Sequence, residues 1–200
     1  MARGRYTDRT LERAFPDSRL MLDAFAVVEY GLGQAISRRG EVPACSAGCD
    51  HCCCQPIPAT PLELLVLEAY VRHVLSPEQR RSQQSAFAPF LGERESLKHP
   101  CPFLHEGRCL VYPVRPIACR QFIAFGRACR PGEDPTVSRP HDMLIPEYAF
   151  MHAALERTLP WYRERYGLPA HMSQEKVQAF FRRVTTVVQA APWGHWFALA

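Results

Sequence analysis

"CSAGCDHCCCQP", residues 45–56, concentrates five of the chain's nine cysteines. Cys52, Cys53 and Cys54 are adjacent, with His51 just ahead of them. Cys45, Cys49 and Cys52 follow the spacing C-x3-C-x2-C. Gaps that short let a tight loop wrap one ion or cluster with little chain entropy left to lose. Zinc and iron–sulfur clusters bind thiolate, and each normally takes four protein ligands. Neighbouring residues seldom both aim at one metal, so one member of the Cys53–Cys54 pair is expected to serve a second site or to be spare.

Further along, Cys101, Cys109, Cys119 and Cys129 follow at steps of eight, ten and ten. Eight thiols can make two four-thiolate sites, or one site plus buried or reactive thiols, and spacing leaves both open. Zinc knuckles come as C-x2-C pairs. One plain x2 gap and four widely spaced single cysteines favour iron–sulfur, with a four-iron cluster as the preferred form and Zn²⁺ as the alternative. Four thiolates around either centre leave about two negative charges. Such a site wants cations or donors beside it. Arg108, Arg115, Arg120, Arg127 and Arg130 accompany the second set of cysteines. Arg115 and Arg120 bracket Cys119 most closely and are the expected donors. His51, His99 and His105 have the chemistry to substitute as ligands, but the thiols already suffice.

Composition narrows the setting. Two hundred residues, 47% of them hydrophobic, fit one domain with a real core. The N-terminal stretch is charged and interrupted by Pro16, with no apolar segment of secretory type. No apolar stretch approaches bilayer length. A cytoplasmic setting is therefore expected, where thiols stay reduced and dense cysteines read as metal-binding rather than as disulfides. An odd cysteine count agrees. A net charge of +4 is too mild to argue for nucleic acid. The arginines and aromatics between residues 103 and 130 read as charge compensation and packing.

Helical periodicity flanks both cysteine loops. Leu22, Phe25, Val28, Leu32 and Ile36 predict a helix over 18–39, capped by Asp17 or Ser18 and stopped by Gly40. Gly31 and Gly33 either weaken it or mark a close contact. Thr60, Pro61 and Glu63 form a capping signature for a helix ending near Leu75. Ser76, Pro77 and Gln79 repeat it for a helix reaching Phe87 or Leu91. "EGRCLVY" predicts a turn at Glu106 and Gly107 followed by a short strand. "RPIACRQF" predicts one or two helical turns. Helices are expected again from Pro146 to about Leu159 and from Gln174 to about Ala190. The apolar tail after Ala190 is expected to fold back onto the body. The fold expected is mainly α: a single domain over 1–200, with helices around an irregular cysteine-rich core at 45–130, at most a short β-hairpin, and helical flanks at 18–39 and 146–190.

The two cysteine blocks together resemble the YkgJ-type CxxCxxCC proteins, a family described as zinc- or iron-chelating. "CSAGCDHCC" is similar to its first cysteine run. "CPFLHEGRCLVYPVRPIACRQF" is similar to its Cys-Pro-Phe-Leu, Gly-x-Cys, Tyr and Arg-Pro-x-x-Cys-Arg-x-Phe sequence. The resemblance covers about residues 45–130. It implies metal ligation by Cys45, Cys49, Cys52, Cys53, Cys101, Cys109 and Cys119, with Cys129 as an eighth. The first gap here is x3 rather than x2, and Cys54 is an additional thiol. Some flagellin lysine N-methylases carry a similar signature and are thought to hold an iron–sulfur centre, which supports that cofactor without implying methylation.

The leading expectation is a metal-binding protein of the bacterial cytosol, serving redox chemistry, metal handling or structure. The first competitor is an enzyme using the cluster for methylation or radical chemistry. C-x3-C-x2-C is also the radical S-adenosylmethionine spacing, but the alternating strands and helices of a barrel are missing. The second competitor is a structural zinc module presenting its helices to a protein partner. Neither a nucleic acid nor a membrane is expected as a partner, and no catalytic residue is assigned.

Overall fold

In the computed structural model, residues 6–46, 48–87, 90, 99–191 and 193 are described. A short helix comes first, α1 (Arg9–Ala14), capped by the Asp8 carboxylate on Leu11 N at 2.9 Å. The sequence pattern predicts no helix before Pro16. Leu11, fully buried, is what anchors it. Helix α2 (Ser18–Arg39) follows and ends at Gly40, whose φ of 72° closes the helix in the left-handed region. Its buried stripe includes Leu22, Phe25, Val28 and Leu32, as the periodicity predicts.

Both capping signatures are realised. Thr60 and Glu63 bond reciprocally at the start of α3 (Pro61–His73). Ser76 and Gln79 do the same at the start of α4 (Pro77–Phe87), at 3.0 and 3.2 Å. The possible extension of α4 to Leu91 lies outside the described residues. After a hairpin and the short helix α5 (Ile117–Gln121), one further turn, α6 (Pro135–Ser138), precedes α7 (Tyr148–Tyr166) and α8 (Gln174–Val184).

Two boundaries depart from expectation. Helix α7 runs seven residues past Leu159, straight through Pro160. Pro160 lies on the solvent face, so the carbonyl it leaves unbonded, on exposed Glu156, faces water. Leu159, Trp161 and Tyr162 on the inner side are buried and hold the helix in register. Helix α8 stops at Val184 instead of near Ala190. The β-branched run Thr185–Val188 leaves the helix, and β4 (Thr186–Val187) pairs antiparallel with β1 (Pro58–Ala59), Pro58 opposite Val187. Behind this ribbon, buried Gln189 accepts from Ile57 N at 3.2 Å and donates to Gln55 O at 2.8 Å. Of the apolar tail, Trp193 is buried against Phe87 and Phe103 at 5.0 and 5.3 Å. Residues 194–200 lie outside the described residues.

The sheets are minimal. Besides β1–β4 there is only a hairpin among the described residues, β2 (Leu104–His105) with β3 (Arg108–Cys109). Glu106 and Gly107 turn it with φ of 47° and 72°, the paired positive values of a tight hairpin turn. The predicted turn and following strand are thus present, with Leu104–His105 as the strand's partner. Helices α2, α3, α7 and α8 enclose one main core. A second, small core of Ala124, Cys129 and Met143, with Phe122 against it, lies beyond the end of α5. Among the described residues, no helix is long and apolar enough to cross a membrane.

Candidate metal centre

The first cysteine loop leaves α2 at Gly40 and is tied down at Ala44, whose N–H donates to Ala124 O at 2.8 Å. Cys49 N then bonds Ser46 O at 3.1 Å, and His51–Cys54 close into a single 3₁₀ turn. Three residues per turn separates consecutive side chains by about 120°. Cys52, Cys53 and Cys54 therefore leave the backbone in three directions. Cys53 packs against the main core, while Cys54 is exposed. Of the three adjacent thiols, Cys52 and Cys53 meet through a side-chain hydrogen bond, while Cys54 is left exposed.

The second cysteine stretch is drawn onto this turn. Cys101 N donates to Cys53 O at 2.7 Å, and Leu104 N returns to Cys101 O at 3.0 Å. The hairpin then places Cys109 opposite Leu104. Helix α5 presents Cys119, which packs against the same core as Cys53, Cys101 and Cys109. Cys129 belongs to the small second core. There, Ala124 N–H donates to Cys45 Sγ at 3.4 Å, and Arg139 Nη2 donates to Cys129 Sγ at 3.2 Å.

Electrostatic coupling follows the same division. Cys45 lies within reach of Cys49, Cys52 and Cys129, and Cys49 within reach of Cys52 and Cys129. Cys101, Cys109 and Cys119 are mutual neighbours, and Cys53 senses Cys101 and Cys109. Cys52 borders both groups. Burial pushes the thiols of Cys45, Cys49, Cys109 and Cys119 up, and that of Cys101 to about 12. The Cys53 S–H donates to Cys52, which raises Cys53 and lowers Cys52. Ionising these sulfurs in such surroundings requires a compensating cation, which a bound metal supplies.

All nine cysteines are free thiols, so the disulfide alternative has no counterpart here. The donor set fits a thiolate-ligated centre: two stretches of chain bring eight soft ligands toward two adjoining cores. As the side chains stand, no group of three or more His, Cys, Asp or Glu among the described residues is arranged to hold a metal ion directly. The sulfurs are neighbours without being closed on a point. A single χ1 change between staggered wells moves a cysteine sulfur by roughly 3 Å.

The flanking arginines divide differently from expectation. Arg115 and Arg120 donate to no sulfur in the hydrogen bonds observed. Arg115 stacks over Tyr112 at 3.9 Å and bonds Tyr112 O at 2.9 Å, acting on Cys52, Cys109 and Cys119 through its charge. Arg120 is buried, paired with Glu29, and donates to Arg115 O at 2.9 Å and Pro113 O at 2.6 Å. It holds the chain around α5 in place. The arginine that donates to sulfur is Arg139, ten residues beyond Cys129, which is itself fixed by Glu133 at 2.9 Å and Phe125 O at 2.9 Å. Nothing in the local sequence signals that contact; it depends on the bridge between Ala124 and Met143 that folds the chain back. Arg127 bonds Glu133 on the surface of the same loop. His51 stands 3.7 Å from Asp50, His105 4.0 Å from Glu106, and His99 lies edge-on to Phe90.

Residues 44–139 match the family model CxxCxxCC, whose description reads "Putative zinc- or iron-chelating domain". The matched range contains all nine cysteines and Arg139. No curated protein and no solved structure matches the chain.

Proposed function

Starting from a chain that carries the CxxCxxCC domain over residues 44–139, we propose that it is a metal-binding protein holding an iron–sulfur centre through thiolates of its two cysteine stretches. Cys45, Cys49, Cys52, Cys53, Cys101, Cys109, Cys119 and Cys129 are the ligand candidates. The observation that carries this reading is the bond from Cys101 N to Cys53 O, which joins the two stretches at the point where their thiols meet. A surface cysteine pair needs no such anchor.

Iron–sulfur is preferred to a single zinc ion on spread. Four thiolates bound at about 2.3 Å to one zinc stand about 3.8 Å apart. Among the described residues no three of these side chains converge as a single zinc ion requires, which suits a polynuclear cluster. A bound cluster supplies one-electron chemistry; the chain supplies partial burial, cationic charge from Arg115 and Arg120, and donors to sulfur at Ala124 and Arg139. Redox transfer or metal handling follows as the role.

Metal and acid-labile sulfide analysis of protein purified without oxygen tests the reading. Iron accompanied by sulfide is the expected result. Zinc alone makes the domain a structural module and removes the redox role.

A further inference from the structure

The nine thiols do not surround one point. Cys53, Cys101, Cys109 and Cys119 all pack against the main core between the helices. Cys129 belongs to the separate small core with Ala124, Met143 and Phe122. Cys45 reaches that second core by accepting from Ala124 N. Cys49 has Cys52 and Cys129 as its thiol neighbours. The 3₁₀ turn is where the two groups adjoin: Cys52 and Cys53 leave it about a third of a turn apart, and the Cys53 S–H donates to Cys52.

We infer that the eight candidate ligands serve two adjoining centres: an inner one held by Cys53, Cys101, Cys109 and Cys119, and an outer one held by Cys45, Cys49, Cys52 and Cys129. This rests on the metal-binding reading proposed above. Cys52 lies at the junction, accepting from the Cys53 S–H on the inner side and neighbouring Cys45 and Cys49 on the outer; it is counted with the outer group, which has three sulfurs without it, because the inner group already has four. Cys54, exposed and on the third face of the turn, belongs to neither.

The two centres differ in their surroundings. Three of the inner four are half-buried against the main core, and the fourth, Cys101, is buried. Losing that centre disturbs the packing of α3, α5 and the hairpin together. The outer centre includes exposed Cys45, half-buried Cys49 and Cys52, and buried Cys129. Ala124 N, Arg139 Nη2 and the His51 N–H donate to its sulfurs, as the Phe103 and Val111 N–H groups donate to the inner Cys101 and Cys109, so the exposure of Cys45 is what sets the outer centre apart. Hydrogen bonds and exposure of that kind tune a thiolate centre and open it to chelators and electron partners.

The test is metal and sulfide content per chain for the full-length protein purified without oxygen, together with its Cys49→Ser, Cys129→Ser and Cys119→Ser variants. Two centres are expected in the unaltered protein. Cys49→Ser and Cys129→Ser should each lose the same centre and keep the other, with helical circular dichroism unchanged. The double variant should lose nothing more. In the unaltered protein, EDTA should strip one centre well before the other. Cys119→Ser should lose the inner complement, and where it fails to fold the two outer variants decide the matter. A single centre in the unaltered protein, or complete metal loss in either outer variant, overturns the division while leaving metal binding intact. Full metal retention in both outer variants also overturns it. A protein that takes up neither iron nor zinc overturns the metal-binding reading as well.

Discussion

The helical frame and the cysteine-bearing stretch from Cys101 to Leu144 are held by different forces. In the frame, apolar side chains at helical spacing meet one another. Tyr162 on α7 packs edge-on against Phe180 and Phe181 on α8 at 5.4 and 5.1 Å. Its hydroxyl accepts from Leu62 N, one of the orphan amides in the first turn of α3. The cysteine stretch has little regular structure and relies on individually placed charges. Buried Glu63 accepts from Thr60 N, Thr60 Oγ1 and Ile117 N, tying α3 to α5. Arg120 pins the other side of α5 to α2 through Glu29 and stacks over Phe25 at 4.0 Å. Arg139 and Glu133 do the same for the loop after Cys129. A core of this first kind tolerates conservative exchange; the second kind fails when one partner is taken away.

The strongest way to break the contrast is Arg120→Ala. It removes a side chain only 2% exposed that meets Glu29 and two carbonyls at once. Taking away one partner of a buried ion pair costs about 3–5 kcal/mol. Urea unfolding of the variant should show a loss of that size. A loss below about 1 kcal/mol, the scale of an exposed pair, would mean that the cysteine stretch does not depend on this pin. The counterpart in the frame is Leu67→Ala, where a fully buried leucine of α3 is truncated. A cost of about 3 kcal/mol is expected from lost transfer energy and the cavity left behind. Leu67→Met should recover most of it, since volume is nearly conserved. No such conservative rescue is expected for Arg120→Lys, because lysine cannot reproduce the forked donation to Glu29, Arg115 O and Pro113 O.

Glu63 sharpens the comparison through pH. Burial raises its pKa above the usual carboxylate value, against the opposing pull of its three donors and Arg120. The folded protein therefore holds the proton more tightly than the unfolded chain. Stability is highest at and below the ordinary carboxylate pKa and falls as pH rises toward the raised value. Glu63→Gln should flatten that slope. It should also cost about 2 kcal/mol at neutral pH, because an amide nitrogen cannot accept from an N–H that the second carboxylate oxygen accepted. Unfolding midpoints of both proteins from mildly acidic to neutral pH check this. An identical slope in both would assign the pH dependence elsewhere.

Helices α2, α3 and α4 are legible from Leu and Val spacing and from the two Thr/Ser–Glu/Gln capping pairs, because these signals are local. The end of α8 is not, since Thr185–Val188 leave the helix to meet Pro58 and Ala59 across the chain. Pro160 reads as a stop, yet α7 continues because burial of Trp161 and Tyr162 outweighs one missing bond. At the candidate centre, the cysteines themselves stand out by density and spacing. The division proposed for them does not, because it depends on which core each thiol packs against. Arg139 is invisible for the same reason: only the fold brings it to Cys129. The family match to residues 44–139 supports the chemistry but carries no assignment of thiols to centres.

The finest test lies within one helix of the frame. Gly31 and Gly33 both interrupt α2, and the sequence treats them alike. In the fold they differ. A Cβ on Gly31 would meet the Phe150 ring of α7 at 2.4 Å, too close for any real contact, so the ring or the helix pair must move. A Cβ on Gly33 would meet nothing within 4 Å. Gly31 is therefore the place where α2 and α7 approach, and Gly33 is a helix-interior glycine without a packing reason. Gly31→Ala should cost about 1–2 kcal/mol from overpacking. Gly33→Ala should stabilise by about 0.5–1 kcal/mol, because alanine loses less backbone freedom in a helix. The opposite signs make the pair informative in a simple thermal melt. If both alanines stabilise, Phe150 yields freely and the α2–α7 seam is softer than its packing indicates; if both destabilise, Gly33 faces a neighbour in solution that this fold does not contain.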